Sequence, residues 1–405
     1  MIKHVALSEV LSFYRGITFK PEDKVDVGSD NSVVCLRTKN IQKVLDESDL
    51  LAVPDSFVKH EHLYVKPGDI LISTANSWEL VGKCVRVQKT IHKSTIGGFI
   101  SLLRPKTNLI DADYLYRFLS MEETQFKIRR LGKKTTNISN MDRVRFLNLQ
   151  IPLPPIKNQK KIADILEKAD QLRKDCQQMN QELNNLAQSV FFDMFGDPVS
   201  NPKGWETTKL SKLVSVISGA TPSKSNDSYW NGDIPWVSPK DMKVREISDS
   251  IDHVSESAFQ ETNLKSIEVD SILIVVRGMI LAHTVPLAIT RKVISINQDI
   301  KALSVKSESI SSEFLLSVLA GMHSHLLNLI STSAHGTKKM EMDNLMNLNI
   351  IIPSKETQKK YISILSNIGD LICNCEKELE LYQNNYNALM QKAFKGELQL
   401  KEPVV

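Results

Sequence analysis

Apolar residues recur at alternating spacings of three and four along two stretches of the chain, and each stretch is followed by a glycine. In the first stretch they are Ile162, Ile165, Ala169, Leu172, Cys176, Met179, Leu183, Leu186 and Val190. In the second stretch the same spacing gives Tyr361, Ile364, Ile368, Leu371, Cys375, Glu378, Tyr382, Asn385 and Leu389, of which only Glu378 and Asn385 are polar. This spacing is that of the inward seam of a coiled coil. It predicts two long helices that end near Gly196 and Gly396, with Glu378 and Asn385 as polar seam residues that set the register.

The two stretches belong to an internal repeat. The residues at 159–166, Gln-Lys-Lys-Ile-Ala-Asp-Ile-Leu, recur at 358–365 as Gln-Lys-Lys-Tyr-Ile-Ser-Ile-Leu, an offset of 199 residues, and the same offset carries Phe195 onto Phe394. Before the helices, the runs 140–142 and 341–343 correspond at an offset of 201. The order is therefore globular segment, helix, globular segment, helix. A second helix of equal length meets the first by running back, so we expect the pair to be antiparallel; the alternative is that each helix packs on its own globular segment.

The globular segments alternate short apolar runs with turn residues. Strands are predicted at 33–36, 70–73, 81–87, 96–104, 272–276, 285–289 and 300–305, and amphipathic helices at 112–129 and 312–330. The predicted fold class is α+β: two mixed α/β domains separated by two long helices that form an antiparallel coiled coil, with an internal pseudo-two-fold repeat. The expected boundaries are 1–152 and 198–353 for the domains, and 153–197 and 354–405 for the helices.

Composition narrows the class of protein. The chain has 405 residues, 41% of them hydrophobic, and a formal net charge of +4. The longest apolar run, at 272–276, is far shorter than the roughly 18 residues of a membrane helix, and the N-terminus does not resemble an export signal. Five cysteines without a C-x-x-C pair favour a reducing compartment. We therefore expect a cytoplasmic protein.

Motifs for catalysis are missing from the sequence. The run Leu131-Gly132-Lys133-Lys134-Thr135 lacks the spacing of a phosphate-binding loop, and no glycine-rich dinucleotide motif follows a strand. His60 and His62 flank Glu61 without a third metal ligand in view, so an exposed polar loop is the simpler interpretation. We expect a non-catalytic chain with no cofactor and no metal.

Binding to DNA is the better interpretation of the polar loops, because cationic and amide side chains occur at corresponding places in both halves. The candidates are Arg37, Lys39, Asn40, Thr74, Asn76, Lys133, Lys134, Thr135 and Asn137 in the first half, and Ser238, Lys240, Asp241, Arg277, Asn297, Gln298, Thr337, Lys338 and Lys339 in the second. Lysine and arginine contact phosphates, and amides, carboxylates and hydroxyls read base edges. Taken singly, each candidate is also compatible with an ordinary solvated loop.

Several motifs resemble those of the specificity subunit of a type I restriction-modification system, and the resemblance covers the whole chain. They are Ile151-Pro152-Leu153-Pro154-Pro155 ahead of Gln159, Phe192-Asp193-Met194-Phe195-Gly196-Asp197-Pro198 ahead of Asn201-Pro202-Lys203-Gly204-Trp205, Trp236-Val237-Ser238-Pro239-Lys240-Asp241, and Ala393-Phe394-Lys395-Gly396-Glu397-Leu398. The second helix departs from the pattern, because Ile352-Pro353-Ser354-Lys355 has lost the run of prolines.

The resemblance implies a non-catalytic, DNA-binding member of a phage-defence complex. Each globular segment would be a target recognition domain that reads one half of a split, asymmetric DNA sequence, and the helices would set the spacing. The partners would be double-stranded DNA, two methyltransferase subunits and motor-nuclease subunits. A coiled-coil scaffold without DNA contact, a self-contained enzyme and a recognition subunit of another methylation or defence complex remain as alternatives.

Overall fold

The computed structural model describes residues 2–134, 139–333, 336–398 and 400. The chain divides into two compact units. Unit 1 comprises Met1–Gln177 and Lys377–Val405, and unit 2 comprises Gln178–Glu376. Each unit therefore contains one globular segment together with parts of both long helices. Among the helices that the structure describes, none combines the length and the apolar composition that a membrane span requires.

Unit 1 is built from short strands and helices around a four-stranded antiparallel sheet. The strands are β1 (His4–Ala6), β2 (Leu11–Arg15), β3 (Ser32–Leu36), β4 (Ala52–Pro54), β5 (Ile70–Ser73), β6 (Ala75–Asn76), β7 (Cys84–Arg86), β8 (Ser94–Ile96), β9 (Ile100–Pro105), β10 (Lys133–Lys134), β11 (Ser139–Asn140) and β12 (Gln150–Pro152). The helices are α1 (Leu7–Val10), α2 (Ala112–Ser120), α3 (Glu122–Leu131), α4 (Arg143–Leu147) and the first part of α5 (Ile156–Phe195). The sheets have the orders β2-β9-β5-β7, β4-β3-β8, β10-β11-β6 and β1-β12.

Unit 2 repeats this plan. Its strands are β13 (Thr207–Lys209), β14 (Val214–Ser218), β15 (Ile234–Val237), β16 (Glu246–Ile247), β17 (Asp252–Val254), β18 (Ile272–Val275), β19 (Leu287–Thr290), β20 (Ser295–Ile296), β21 (Ile300–Val305), β22 (Ile330–Thr332), β23 (Lys338–Met340) and β24 (Asn349–Ile351). Its helices are α6 (Leu210–Leu213), α7 (Glu256–Glu261), α8 (Ser312–Gly321), α9 (His323–Asn328), α10 (Met342–Met346) and the first part of α11 (Lys355–Lys395). The sheets have the orders β14-β21-β18-β19-β16, β17-β15-β20, β13-β24 and β22-β23.

The strongest apolar runs form the central strands, as predicted. All four residues of β5 and all four of β18 are buried, which explains why these runs show no alternation of apolar and polar positions. The strands predicted at 33–36, 70–73, 272–276 and 300–305 are confirmed within one residue. The strand predicted at 96–104 is interrupted, because Gly98 and Phe99 form a turn between β8 and β9.

The helices predicted at 112–129 and 312–330 are each broken once. Met121 has an extended backbone with ψ of 134°, which separates α2 from α3. The break is stabilised by Gln125, whose buried amide donates to the carbonyl of Leu119 at 2.6 Å and to that of Gly82 at 2.7 Å. In unit 2 the corresponding break lies at Met322. Apolar periodicity continues across such a break, so the sequence pattern alone shows one helix.

The correspondence between the halves before the long helices is 199 residues, and the offset of 201 was wrong. Asp142 and Glu341 are the N-cap residues of α4 and α10. The adjoining strands β12 and β24 are related by the same 199 residues. The repeat therefore keeps one offset from α4 to the end of the long helix.

Gln159 and Gln358 explain why the Gln-Lys-Lys motif occurs twice. The amide nitrogen of Gln159 donates to the carbonyls of Pro154 (2.8 Å) and Leu109 (3.1 Å), and its oxygen accepts from the backbone of Asp111 (2.9 Å). Gln358 bonds in the same way to the carbonyls of Pro353 and Ser309 and to the backbone of Ser311. Both glutamines are buried. Each one fastens the start of a long helix to the segment that begins a shorter helix of the same globular segment, α2 in unit 1 and α8 in unit 2.

The long helices α5 and α11 contain 40 and 41 residues. In unit 1 their segments run antiparallel: Ile162 and Leu166 share a core with Met390 and Phe394, and Arg173, further along α5, donates to Gln383 at 3.2 Å, earlier along α11. In unit 2, Phe191 and Phe195 of α5 pack against Tyr361 of α11, with ring centroids 5.7 and 5.3 Å apart.

Half of the predicted seam is shifted by one residue. Ile162, Cys176, Tyr361, Ile368 and Cys375 are buried as expected. Leu172, Met179, Leu186 and Leu371 are between 47 and 54% exposed, and Glu378 and Asn385 are also exposed. The positions one residue later are more buried instead: Leu166, Arg173, Asn180 and Ala187 in α5, and Ile372, Leu379 and Tyr386 in α11. The prediction of these exposed residues as seam residues was therefore wrong.

The predicted seam and the observed seam share every seventh position and differ at the position between. There, the apolar side chains in the sequence favoured the residue that the structure exposes. In α5 the larger apolar side chains Leu172, Met179 and Leu186 suggested a seam, while the helix turns Arg173, Asn180 and Ala187 inward. Arg173 is retained there because it belongs to an ion-pair network with Asp170.

Asp170 is the centre of that network in unit 1. Its buried carboxylate accepts from Arg117 at 3.1 Å and from Arg173 at 2.7 Å, and it lies 2.9 Å from the ammonium group of Lys174. Arg117 also donates to the hydroxyl of Tyr386 at 3.2 Å, which connects α2, α5 and α11. Burial raises the pKa of Asp170, but the hydrogen bonds from Arg173, Lys174 and Arg117 outweigh burial and bring the pKa to about 2.

Because this pKa is lower than in the unfolded chain, ionised Asp170 stabilises the fold above about pH 4, and that stabilisation is lost as the pH falls toward 2. We predict that Asp170→Asn lowers the free energy of unfolding by about 2 to 4 kcal/mol at pH 7 and by much less near pH 2. Urea unfolding at both pH values measures the difference. The exposed Asp164→Asn on the same helix is the matched control, with an expected change within about 0.5 kcal/mol. An Asp170→Asn effect that is equally large at low pH would contradict the assignment.

Candidate nucleic-acid interface

The predicted loops converge on one edge in each unit, and the same four backbone hydrogen bonds assemble both edges. In each pair that follows, the backbone N–H of the first residue donates to the carbonyl of the second. In unit 1 the pairs are Ile17 and Ile96 (2.8 Å), Gly97 and Leu36 (2.8 Å), Thr74 and Phe99 (2.9 Å), and Met141 and Thr74 (2.9 Å). In unit 2 the equivalent pairs are Ala220 and Ile296 (3.0 Å), Asn297 and Val237 (2.9 Å), Val276 and Asp299 (2.8 Å), and Met340 and Val276 (2.9 Å). We name the resulting surfaces the polar edges. The polar edge of unit 1 comprises residues 15–18, 36–40, 74–77, 97–99, 133–134 and 139–143, and that of unit 2 comprises 218–221, 237–241, 276–280, 297–301, 330–333 and 336–340.

On the polar edge of unit 1, two predicted cations are neutralised by a carboxylate and two predicted polar residues are partly exposed. Arg37 and Lys39 both contact the carboxylate of Asp49, which reduces their net charge. Thr74 and Asn76 are partly exposed beside the three-stranded sheet β10-β11-β6. Lys133 and Lys134 form β10 of this sheet, with Lys133 opposite Asn140. Thr135 and Asn137 lie outside the described residues.

On the polar edge of unit 2, Lys338 and Lys339 lie in β23, whereas Arg277 and Lys240 lie after the ends of β18 and β15. Arg277 is exposed and its backbone pairs with that of Lys339. Lys338 donates to the hydroxyl of Thr332 at 2.8 Å, and Lys339 lies 3.2 Å from the carboxylate of Glu341. Lys240 pairs with Asp252 at 2.7 Å. Ion pairs between side chains this exposed stabilise a protein by little, so phosphates can compete for these cations.

Of two other predicted positions in unit 2, Gln298 is exposed and Thr337 is partly exposed. Gln298 accepts a hydrogen bond from the hydroxyl of Thr221, and its residue is exposed at the turn between β20 and β21. Thr337 is partly exposed, and its carbonyl accepts from Ser333 at 2.9 Å. Both remain candidates for contact with a base or a phosphate.

Four predicted readers have internal hydrogen-bond partners. Asn40 is buried, and its amide donates to the carbonyls of Asp46 (2.7 Å) and Asp49 (3.2 Å). Ser238 is buried, and Asp241 accepts from its backbone and hydroxyl and from the backbone of Ile251. Asn297 is buried and accepts from the backbone of Asp299 at 3.1 Å. Asn40, Ser238 and Asn297 are buried and shape the loops, so their prediction as base readers was wrong. Asp241 is partly exposed, and its contact with a base stays a prediction.

Each polar edge has a cation at an equivalent place that was not predicted from the sequence. In unit 1, Arg15 on β2 lies opposite Ser101 on β9. The equivalent cross-strand pair in unit 2 is Ser218 on β14 and Lys301 on β21. Both units therefore have a positive charge at this cross-strand pair, but it is carried by the first strand of the pair, β2, in unit 1 and by the second strand, β21, in unit 2. Burial lowers the pKa of Lys301, whose ammonium group donates to Ser218 at 2.8 Å. A comparison of the paired strands in the two units shows that Arg15 and Lys301 are equivalent, whereas a comparison of the two halves by sequence position does not.

A cleft of about 280 Å³ lies on the polar edge of unit 1 and brings two arginines together. Its lining includes Arg15, Thr74, Gly98, Asn140 and Arg143. The guanidinium of Arg143 lies 5.1 Å from the ring centroid of Phe13, which also lines the cleft. In the part of the chain that the structure describes, neither arginine forms an ion pair with a carboxylate. Both are therefore available to an anion such as a phosphate.

His60 and His62, which flank Glu61 in the sequence, contact aromatic rings in the structure. His62 stacks on Tyr14 with ring centroids 4.5 Å apart, and His60 stacks on His62 at 5.1 Å. No group of three or more histidine, cysteine or carboxylate side chains in the described ranges is arranged to hold a metal ion. The polar edges thus offer cations, hydroxyls and amides, which are groups for binding.

Comparisons with known proteins agree with this chemistry. The chain matches the family described as type I restriction modification DNA specificity domain twice, at residues 3–185 and 202–381. The StySPI specificity subunit of Salmonella potsdam is 26% identical over 419 residues, which cover 97% of this chain and 88% of that subunit. The EcoR124I/EcoR124II specificity subunit of Escherichia coli is 30% identical over 187 residues, so the aligned part spans 45% of this chain and about half, 46%, of that subunit.

Two solved structures share the fold over nearly the whole chain. A chain from a study of complex assembly and conformational transition in the type I R-M system has a TM-score of 0.62 and 16% identity, with 98% of each chain covered. The S subunit of the type I system from M. genitalium has a TM-score of 0.59 and 14% identity, with 99% of this chain and 97% of that chain covered. With two family matches that together span most of its residues, this chain belongs to the family of type I restriction-modification DNA specificity subunits.

Proposed function

We propose that this chain reads a bipartite, asymmetric DNA sequence, with each polar edge reading one half, and that its long helices set the spacing of the halves. The observation that carries the proposal is the set of four equivalent backbone hydrogen bonds, which builds the same edge twice and displays different side chains on each. Equal scaffolds suit a duplex whose two halves are approached in the same way. Different side chains suit halves of different sequence.

The recognition domains would comprise residues 1–152 and 198–353, and the helical segments 153–197 and 354–405. At 1.5 Å per residue, helices of 40 and 41 residues are about 60 Å long, which suits a spacer between half-sites. We assign no catalytic residue and no cofactor to this chain. Base methylation and DNA cleavage would belong to methyltransferase and motor-nuclease subunits that assemble with it.

The exposed apolar residues of the long helices support docking of two methyltransferase subunits. Leu172 in unit 1 and Leu371 in unit 2 are equivalent in the repeat, and both are about half exposed. Large apolar side chains on the outward face of a helix favour a protein partner over water. Because the two leucines are related by the repeat, they would form two equivalent docking positions.

Removal of one cation from a polar edge tests the DNA interface. We expect Arg277→Gln to weaken binding of the assembled methyltransferase complex to its target duplex and to reduce the slope of log affinity against log salt by about 1. Lys265→Gln is the matched control, because Lys265 is exposed in the same unit but lies before the start of β18, whereas Arg277 follows its end. Fluorescence anisotropy at several salt concentrations measures both.

If the change in salt slope caused by Arg277→Gln is too small to measure, a variant with four substitutions tests the same surface. Replacing Arg277, Lys301, Lys338 and Lys339 together by glutamine should reduce the salt slope by about 3 to 4. An unchanged slope in this variant would exclude the polar edge of unit 2 as the DNA-binding surface.

A further inference from the structure

Phe99 is an exposed aromatic side chain at the centre of the polar edge of unit 1. It is 67% exposed, although the residues on either side of its turn, Ile96 and Ile100, are buried in the core. In the part of the chain that the structure describes, Phe99 belongs to no hydrophobic cluster. It directly follows Gly98, which lines the cleft that contains Arg15 and Arg143. Water is therefore an unfavourable environment for a ring that the fold holds in this position.

The backbone of Phe99 is fixed rather than loose. Its carbonyl accepts hydrogen bonds from the backbone of Thr74 (2.9 Å), the hydroxyl of Thr74 (3.1 Å) and the backbone of Ala75 (3.3 Å). The turn is closed by a bond from Ile100 to Gly97 at 3.0 Å. A ring on so constrained a turn loses little further freedom on binding, which favours its use as a contact residue.

The equivalent residue of unit 2 is Asp299. Its carbonyl accepts from Val276 at 2.8 Å, as that of Phe99 accepts from Thr74. The two units thus place side chains of opposite character at one point of the same scaffold, one apolar and one acidic. In the major groove, an apolar side chain such as phenylalanine contacts the 5-methyl group of thymine, and an acidic side chain accepts from the 4-amino group of cytosine.

We propose that Phe99 is a specificity-determining residue that recognises the 5-methyl group of one thymine in the half-site of unit 1. The inference rests on the proposed function, since it requires that the polar edge of unit 1 faces the major groove. The cations Arg15 and Arg143 beside the turn would hold the adjacent phosphates. Burial of a methyl group against the ring sets the size of the effect at about fourfold in affinity.

The test removes the methyl group and the ring separately. The target is first mapped by methylation sequencing in cells that contain this chain and its methyltransferase, and an exchange of residues 1–152 assigns the half-site of unit 1. Duplexes with deoxyuridine in place of each thymine of that half-site are then bound to the assembled complex. At one position, deoxyuridine should weaken binding of the unchanged complex about fourfold and should leave the affinity of Phe99→Ala unchanged.

Two further variants sharpen the test. Phe126→Ala removes another exposed ring of unit 1, on α3, and should keep the full sensitivity to deoxyuridine. Phe99→Asp imitates unit 2 and should change the methylated sequence from thymine to cytosine at that one position. Because Phe99 is exposed, both Phe99 variants should unfold at the same urea concentration as the unchanged chain.

The outcomes separate this inference from the proposed function. If the assembled complex binds no specific duplex, the proposed function itself fails. If it binds specifically but the half-site of unit 1 contains no thymine, or no deoxyuridine position distinguishes Phe99→Ala from the unchanged chain, Phe99 does not read a methyl group. A loss of binding in Phe99→Ala that is independent of the methyl group would indicate insertion of the ring between bases and would also overturn the inference.

Discussion

Replacing residues 1–152 by the corresponding segment of another specificity subunit should change one half of the methylated DNA sequence completely and leave the other half unchanged. The physical reason is that the polar edge of unit 1 is assembled from hydrogen bonds among its own segments, and the same is true of unit 2. The core clusters of the two globular segments are likewise separate. Methylation mapping by long-read sequencing in cells with the same methyltransferase measures the result.

The design of the exchange must respect one feature of unit 1. Phe394 of α11 packs against Tyr114 and Phe118, with ring centroids 5.0 and 5.4 Å apart. A hybrid that keeps both aromatic residues preserves this core and is the version to test, with a hybrid that replaces them as a stability control. Changes in both halves of the methylated sequence would contradict the independence of the two readers.

Leu172→Glu and Leu371→Glu should each remove one methyltransferase subunit from the complex, and the double variant should remove both and abolish methylation. A glutamate at either position would have to be buried without a partner charge when a methyltransferase subunit docks. We expect this to weaken each docking site by on the order of 100-fold, about 3 kcal/mol. Native mass spectrometry of the purified complexes counts the subunits that remain.

Matched controls exist in both units. Ile91 in unit 1 and Ile251 in unit 2 are more exposed than the two leucines but lie in loops outside the long helices. Ile91→Glu and Ile251→Glu should keep both methyltransferase subunits. If the leucine variants assemble like these controls, the exposed leucines do not form the docking positions.

The long helices show how far apolar periodicity carries a prediction. The sequence predicts their existence, their approximate ends and every seventh seam position, because these depend on spacing within a single helix. It does not decide which of two adjacent positions turns inward. Arg173 is turned inward by its contacts with Asp170 and Gln383, and Gln383 is more than 200 residues away in the chain.

The polar edges show the same limit for side chains. The loops were predicted from their composition, and the structure brings them together. Asn40, Ser238 and Asn297 were predicted as readers by residue type, but their partners in the folded loops occupy them. Arg15, Lys301 and Phe99 were missed because equivalent positions in the two units carry different residue types.

The sequence by itself determined the repeat, the two long helices, the central strands and the family, because each of these leaves a pattern in consecutive residues. Only the tertiary structure decided which helix face is exposed, which polar side chains are free to bind and that Arg15 and Lys301 occupy one cross-strand position. The physical reason is that exposure and hydrogen bonding depend on partners that folding brings from distant parts of the chain.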